Sequence, residues 1–400
     1  PAEFLAGAAK ADITPTKWPV DLVGSFSRRL AEQAWDRLHA RAMVLSDGST
    51  TIAIVTVDSC YVPMQVLDEA KRRIRQQCEI PTDRMLMSAT HKHSAPASRD
   101  RREFKADPDY VERVTRGITE AVVTAHRQLQ PAEIGHAVVS LPEHLHNRRW
   151  FMKPGGIVPN PFGSTDDQVR MNPPRGKDLL DRPAGPIDPE LSVLSVRSAS
   201  GRPIALLANY SLHYVGGIPA GGVSADYFGE FARLVEQQLG ATDDNGPPMV
   251  GLLSNGTSGD VNNINFTNPQ PRKKPFEQMR YVAASVADHA VAAAKTIDYR
   301  NDATIAMAER RITLANRRPT EVQVQRARQA LAADDESSLP PRAKHYAKWV
   351  IQLSEPPFES ELVLQAIRIG TLGITAIPCE VFTEIGLELK ETSPLKPTFN

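Results

Sequence analysis

Short apolar runs bounded by turn residues recur along the chain and predict strands at 41–46, 51–58, 84–89, 132–140, 191–197, 203–210, 249–254, 303–314, 362–369 and 373–377. Apolar residues at helical spacing alternate with them. Val111, Val114, Ile118 and Val122 form one stripe and Met279, Val282 and Val286 another, and further helices are predicted near 64–78, 226–239, 319–333 and 340–353. The runs 41–46 and 51–58 flank Ser46-Asp47-Gly48-Ser49, which makes them a hairpin, whereas elsewhere strand and helix follow each other. Together these features predict an α/β protein: a layered sandwich of two mixed, largely antiparallel sheets flanked by helices. No internal repeat and no linker divides the chain, so one domain over 1–400 is expected. The pattern breaks between Leu141 and Pro189, where nine prolines fall. A stretch of that kind predicts a long ordered loop region, at 141–190, that packs over something.

Composition narrows the classes. With 41% hydrophobic and 24% charged residues, the chain has the make-up of a folded globular protein. Its 47 Lys+Arg balance 47 Asp+Glu, so the basic excess of a nucleic-acid-binding protein is missing and no nucleic-acid partner is expected. The longest apolar runs, such as Thr51–Val57, fall far short of the roughly 18–20 residues that cross a bilayer, and no transmembrane segment is expected. Cys60, Cys78 and Cys379 are too few and scattered for a disulfide framework. The chain opens on Pro1 and runs directly into foldable sequence, which fits a mature secreted or periplasmic protein after removal of a targeting segment.

Four polar clusters, each just past a predicted strand, carry candidate chemistry. Thr90-His91-Lys92-His93-Ser94 follows the run Met85-Leu86-Met87. Two imidazoles at i, i+2 on extended backbone face one side, and neutral imidazole is the commonest metal ligand. His213 follows the strand at 203–210, and Glu380 follows the strand at 373–377, ahead of a helix predicted over Val381–Lys390. Two imidazoles and one carboxylate match the protein ligands of a catalytic zinc site that keeps one position open for water. The fourth cluster, Ser254 to Asn263, is rich in small residues that permit close backbone approach, and its amides are candidate donors to developing negative charge. It lacks the lysine of a phosphate-cradling loop. Each cluster alone also reads as plain structure: exposed loop histidines, a core histidine, a glutamate on a helix dipole, a turn. The convergence of all four is what points to a site. His39, His126, His136, His289 and His345 read as structural.

In this order the clusters resemble the neutral (alkaline, non-lysosomal) ceramidase family. The likeness is carried by Ala6–Pro15, Thr90–Ser94, Asn147-Arg148, Ile187–Glu190, Ser224–Tyr227, Gly259–Asn262 and Ile377–Glu380. It implies a zinc-dependent amide hydrolase in which His91, His213 and Glu380 bind Zn2+. His93 and Arg148 would stabilise the oxyanion or shuttle the proton, and Asp260 joins them among the catalytic residues. Three departures accompany the likeness. Asn262 stands where the family carries a serine, residues 381–400 hold no counterpart of the family's tyrosine ligand, and the immunoglobulin-like C-terminal domain of larger members has no counterpart here.

The expected activity is hydrolysis of an N-acyl bond in a small-molecule substrate, an N-acyl lipid or polar conjugate, by metal-activated water. Two alternatives stay open. One is a metal-assisted hydrolase or lyase on an acidic carbohydrate or other polar substrate, gripped by the pairs Arg28-Arg29, Arg101-Arg102 and Arg148-Arg149. The other is a ligand-binding relative without catalysis, motivated by Asn262 and the absent tyrosine.

Overall fold

The structure, a computed structural model, describes residues 3–101, 104–176, 178–240, 246–271 and 273–400. Strand β1 (Leu5–Asp12) pairs antiparallel with β2 (His39–Ser46), and β2 forms the predicted hairpin with β3 (Thr51–Val57). Strand β4 (Met85–Ala89) lies parallel to β3. In a second half, β5 (Gln130–Ser140), β6 (Glu190–Ser198) and β7 (Pro203–Tyr210) run antiparallel in turn, and β8 (Val250–Asn255) lies parallel to β7. The halves meet where Leu5 and Ala6 pair with Pro131 and Gln130, which gives the order β8-β7-β6-β5-β1-β2-β3-β4.

So narrow a junction lets the two halves fold over each other and share one core, built from Ala6, Met43 and Ile54 of one and Leu194, Leu207 and Leu252 of the other. Successive strand residues face opposite ways, so the neighbours of these residues line the outer faces. Helices α1 (Met64–Cys78) and α2 (Pro108–Arg127) cover Ala42, Val55 and Val57. On the other half, α3 (Asp226–Leu239) and α4 (Glu277–Ala294) cover Val193, Leu206 and Tyr210. A second sheet, β9 (Ile305–Ala315), β10 (Glu359–Ile369), β11 (Leu372–Ala376) and β12 (Thr398–Phe399), closes the shared core with Ile305, Ile367, Ile374 and Phe399. Helices α5 (Glu321–Ala332) and α6 (Ala343–Leu353) form between β9 and β10, and α7 (Thr383–Thr392) follows β11. This is the expected α/β sandwich of mixed sheets with helices outside. No helix among the described residues is long and apolar enough to cross a membrane.

Two regions differ from the sequence pattern. Strand β1 was not among the predicted strands, because its Ala-Gly-Ala-Ala run has weak strand propensity. Packing explains it: a Cβ on Gly7 would lie 2.1 Å from the Ala125 carbonyl oxygen, so the end of α2 rests directly on β1. The proline-rich stretch holds short ribbon strands, with Arg149–Met152 paired to both Val169–Met171 and Leu180–Pro183. Trp150 from this ribbon packs on Phe266, with ring centroids 6.4 Å apart.

At the start of β2, His39 sits beside the buried Arg41–Asp58 ion pair (2.6 Å), its Nδ1 3.4 Å from Arg41 Nη2. Burial, reinforced by Arg41, pushes its pKa down to about 4. The unfolded chain takes up that proton near pH 6.5. Stability contributed by neutral His39 is therefore present above about pH 6.5 and is lost as pH falls toward 4, by up to about 3 kcal/mol. His39→Gln is expected to show a correspondingly shallower fall in urea-unfolding free energy over that window; a slope equal to the wild type's would refute the assignment.

Candidate metal centre and active site

Strands β4, β7 and β11 deliver the three expected ligands. After β4 the backbone turns at His91, whose φ of +59° is left-handed. The His91–His93 pair is therefore not on extended backbone as expected. It is the turn that brings the two rings to 5.1 Å between centroids and their Nε2 atoms to 3.4 Å. His213, three residues beyond β7 and buried, places its ring 4.7 Å from that of His91. Glu380, four residues beyond β11, lies with Oε1 at 3.3 Å from His91 Nε2. The ligand atoms of His91, His213 and Glu380 all fall within 4.8 Å of one another.

Each ligand imidazole is oriented by its other nitrogen. His91 Nδ1 donates to the Cys60 carbonyl at 2.8 Å, and His213 Nδ1 to the Ser258 carbonyl at 3.2 Å. Such carbonyl partners fix the tautomer and ring angle of metal-binding histidines and leave Nε2 free. Tetrahedral zinc with bonds of about 2.0–2.1 Å separates its donors by about 3.3–3.4 Å, the spacing that His91 and Glu380 already have. The residues present fit a zinc ion. Burial opposes a charge on His91, but the Cys60 side chain and the Glu380 carboxylate outweigh it and hold its pKa up to about 10. The hydrogen bond from His91 in turn holds Glu380 down to about 2. Burial and then the charge on His91 push His93 down to about 3; burial and then Arg148 push His213 well below its ordinary value.

Arg148 reaches the cluster from a ribbon in which Asn147 pairs with Val261. Its Nε donates to the Gly259 carbonyl at 3.1 Å and its Nη2 lies 3.7 Å from Glu380 Oε2. Asp260 sits one layer behind. Its fully buried carboxylate accepts the Thr383 N–H, the Thr383 hydroxyl and Asn147 Nδ2, each at 3.0 Å. It thus ties the Arg148 ribbon to the start of α7, just after Glu380.

In the glycine-rich loop, two of the amides that were candidates to face a ligand are taken up by the fold. Gly256 N–H donates to the Tyr210 carbonyl (3.1 Å) and Gly259 N–H to the Val381 carbonyl (2.8 Å). The loop acts through the carbonyls of Ser258 and Gly259, which hold His213 and Arg148. Gly259 is required there, since a Cβ would lie 2.4 Å from the Glu380 carbonyl oxygen. Asn262 is spent locally, its Nδ2 donating to Asn172 Oδ1 (3.3 Å) and its Oδ1 accepting the Ile264 N–H (2.8 Å). The paired arginines are also engaged: Arg28 on Asp21 (2.6 Å), Arg29 on the His93 carbonyl (2.9 Å), and Arg149 over the Phe382 ring (4.5 Å). Arg102 lies outside the described residues.

Sequence reasoning missed Tyr214 and Lys92. The Tyr214 ring stacks on His93 at 4.0 Å and 23°; its place next to His213 was the available signal. Lys92 is fully buried between the two histidines, and no sequence signal marks it, because a lysine reads as exposed.

Fold and cluster together define an α/β sandwich protein with a histidine–carboxylate candidate metal centre. The family model of the neutral/alkaline non-lysosomal ceramidase N-terminal region matches residues 4–332, and the chain belongs to that family. Neutral ceramidase B of Dictyostelium discoideum is 25% identical over 276 residues, 65% of this chain and 35% of that protein. Neutral ceramidase A of the same organism is 25% identical over 191 residues, 44% of this chain and 24% of that one. The chain therefore spans about a third or less of the curated relatives it matches. Among solved structures, neutral ceramidase from Pseudomonas aeruginosa shares the fold with a TM-score of 0.70 at 16% identity, over 100% of this chain and 67% of that one. Glu380 lies beyond the residues that the family model matches, so its place beside His91 and His213 comes from geometry alone.

Proposed function

We propose that this chain hydrolyses the amide bond of an N-acyl lipid of the ceramide type, with zinc held by His91, His213 and Glu380. The observation that carries this reading is the meeting of three ligands from three separate strand ends, within 4.8 Å, in a member of this family. Zinc bound there supplies a Lewis acid and brings the pKa of water toward about 7. The remaining work falls to the chain. His93 keeps a ring nitrogen 3.4 Å from His91 Nε2, facing the ligand set, and from there carries the proton from the attacking water to the leaving amine. Arg148, anchored on Gly259, presents positive charge where the carbonyl oxygen turns negative.

The test is an assay of the purified chain, with zinc and after chelation, on N-acyl sphingoid lipids and on acidic oligosaccharides. Zinc-dependent release of fatty acid is the expected result; turnover of the sugar, or of neither, would overturn it. Asp260 is a positioning residue in this scheme. Asp260→Asn turns an amide N–H toward Thr383 or Asn147, and is expected to lower kcat/KM and zinc affinity about 10–100-fold, read by steady-state kinetics and chelator competition.

A further inference from the structure

Cys60 lies three residues past β3, buried, with its carbonyl on His91 Nδ1. Its thiol belongs to a second ligand set: the donor atoms of Cys60, His91 and His93 fall within 4.8 Å of one another. This set shares His91 with the first and differs in chemistry. A thiolate with two imidazoles favours soft, thiophilic ions, whereas two imidazoles with a carboxylate suit a catalytic zinc. The Nε2 atoms of His91 and His93 are already 3.4 Å apart, the separation of two donors on one ion, and a sulfur bond of about 2.3 Å adds reach on the third side.

We propose that Cys60, His91 and His93 form a binding site for a thiophilic cation such as Cd(II) or Cu(I), and that its occupation takes His91 from the set completed by His213 and Glu380. Binding forms the metal–sulfur bond, and the thiol proton and any proton on His91 leave to solvent. Where zinc at the first set is the working ion, as proposed above, the second set is a built-in route of inhibition: the soft ion and zinc compete for one imidazole.

The test uses the full chain, metal-free, in a Cys379→Ser background that removes the exposed thiol next to Glu380. Titration with Cd(II) is expected to raise the ultraviolet sulfur-to-metal charge-transfer band to an endpoint of one equivalent. Cys60→Ser, nearly isosteric, is expected to lose that band, and Glu380→Gln to keep it. Added to the zinc-loaded chain, Cd(II) is expected to release one equivalent of zinc. No band in the parent, or an equal band in Cys60→Ser, would overturn the site; Cd(II) bound with zinc retained would overturn the competition. Zinc binding unaffected by Glu380→Gln would instead count against the zinc ligand set, while the Cys60 band still decides the second site.

Discussion

Glu380→Gln is expected to abolish tight zinc binding and to lower kcat/KM on an N-acyl lipid by at least about a thousandfold, since the ion's stabilisation of the reacting carbonyl amounts to several kcal/mol. The substitution keeps the side chain's size and removes the charge that faces His91 at 3.3 Å and Arg148 at 3.7 Å. The Glu380 side chain is 57% exposed, so the fold should lose no more than about 1 kcal/mol. A large functional loss at near-normal stability separates a ligand from a structural residue. Metal content after dialysis against a chelator, kinetics and urea unfolding on the same preparation check it. A variant that holds its zinc and turns over like the wild type would remove Glu380 from the centre.

Much of this site is legible in the sequence because its parts hang on strand ends. His91, His213 and Glu380 each follow an apolar run that reads unambiguously as a strand, and β4, β7 and β11 form where those runs stand. What the runs cannot tell is how strand ends meet in space. The halves of the first sheet join through Leu5 and Ala6, in a strand whose residues are small because α2 lies on it, and a strand selected by close packing leaves no alternation to read. The left-handed turn at His91 is likewise invisible, since positive φ is uncommon at any non-glycine residue, histidine included. The resemblance places Asp260 among the catalytic residues, and only the structure gives it four oxygen-to-donor contacts, including Arg149 at 3.7 Å, that tie two segments together. Cys60 acquires meaning only from its spatial neighbours.

Lys92→Met is expected to cost about 3–5 kcal/mol of unfolding free energy, the range for removing one partner from a buried charge network. The Lys92 ammonium donates to the Ser224 carbonyl at 2.6 Å and to the Ser94 carbonyl at 3.3 Å, in the field of Asp58, Asp36 and Asp226. Burial brings its pKa down to about 8 against the pull of those carboxylates. Methionine matches its length and shape, but leaves the Ser224 and Ser94 carbonyls with one donor fewer, the Ser94 hydroxyl and the Ser224 N–H respectively remaining, and removes the buried cation that Asp58, Asp36 and Asp226 face. The consequence extends to the metal centre. Lys92 fastens the His91–His93 turn to Ser224, two residues before Asp226, and Asp226 accepts the N–H groups of Val215 (3.0 Å) and Gly216 (2.9 Å) just beyond His213. The buried charge therefore helps hold the two histidine segments in register, beside the Ser94 hydroxyl on the Ser224 carbonyl (2.9 Å) and the Ser224 N–H on the Ser94 carbonyl (3.1 Å), and zinc affinity should fall by about 10–100-fold along with stability. Denaturant unfolding and chelator competition read the two effects separately: lower stability with unchanged zinc affinity would confine Lys92 to the fold, and unchanged stability would contradict the network.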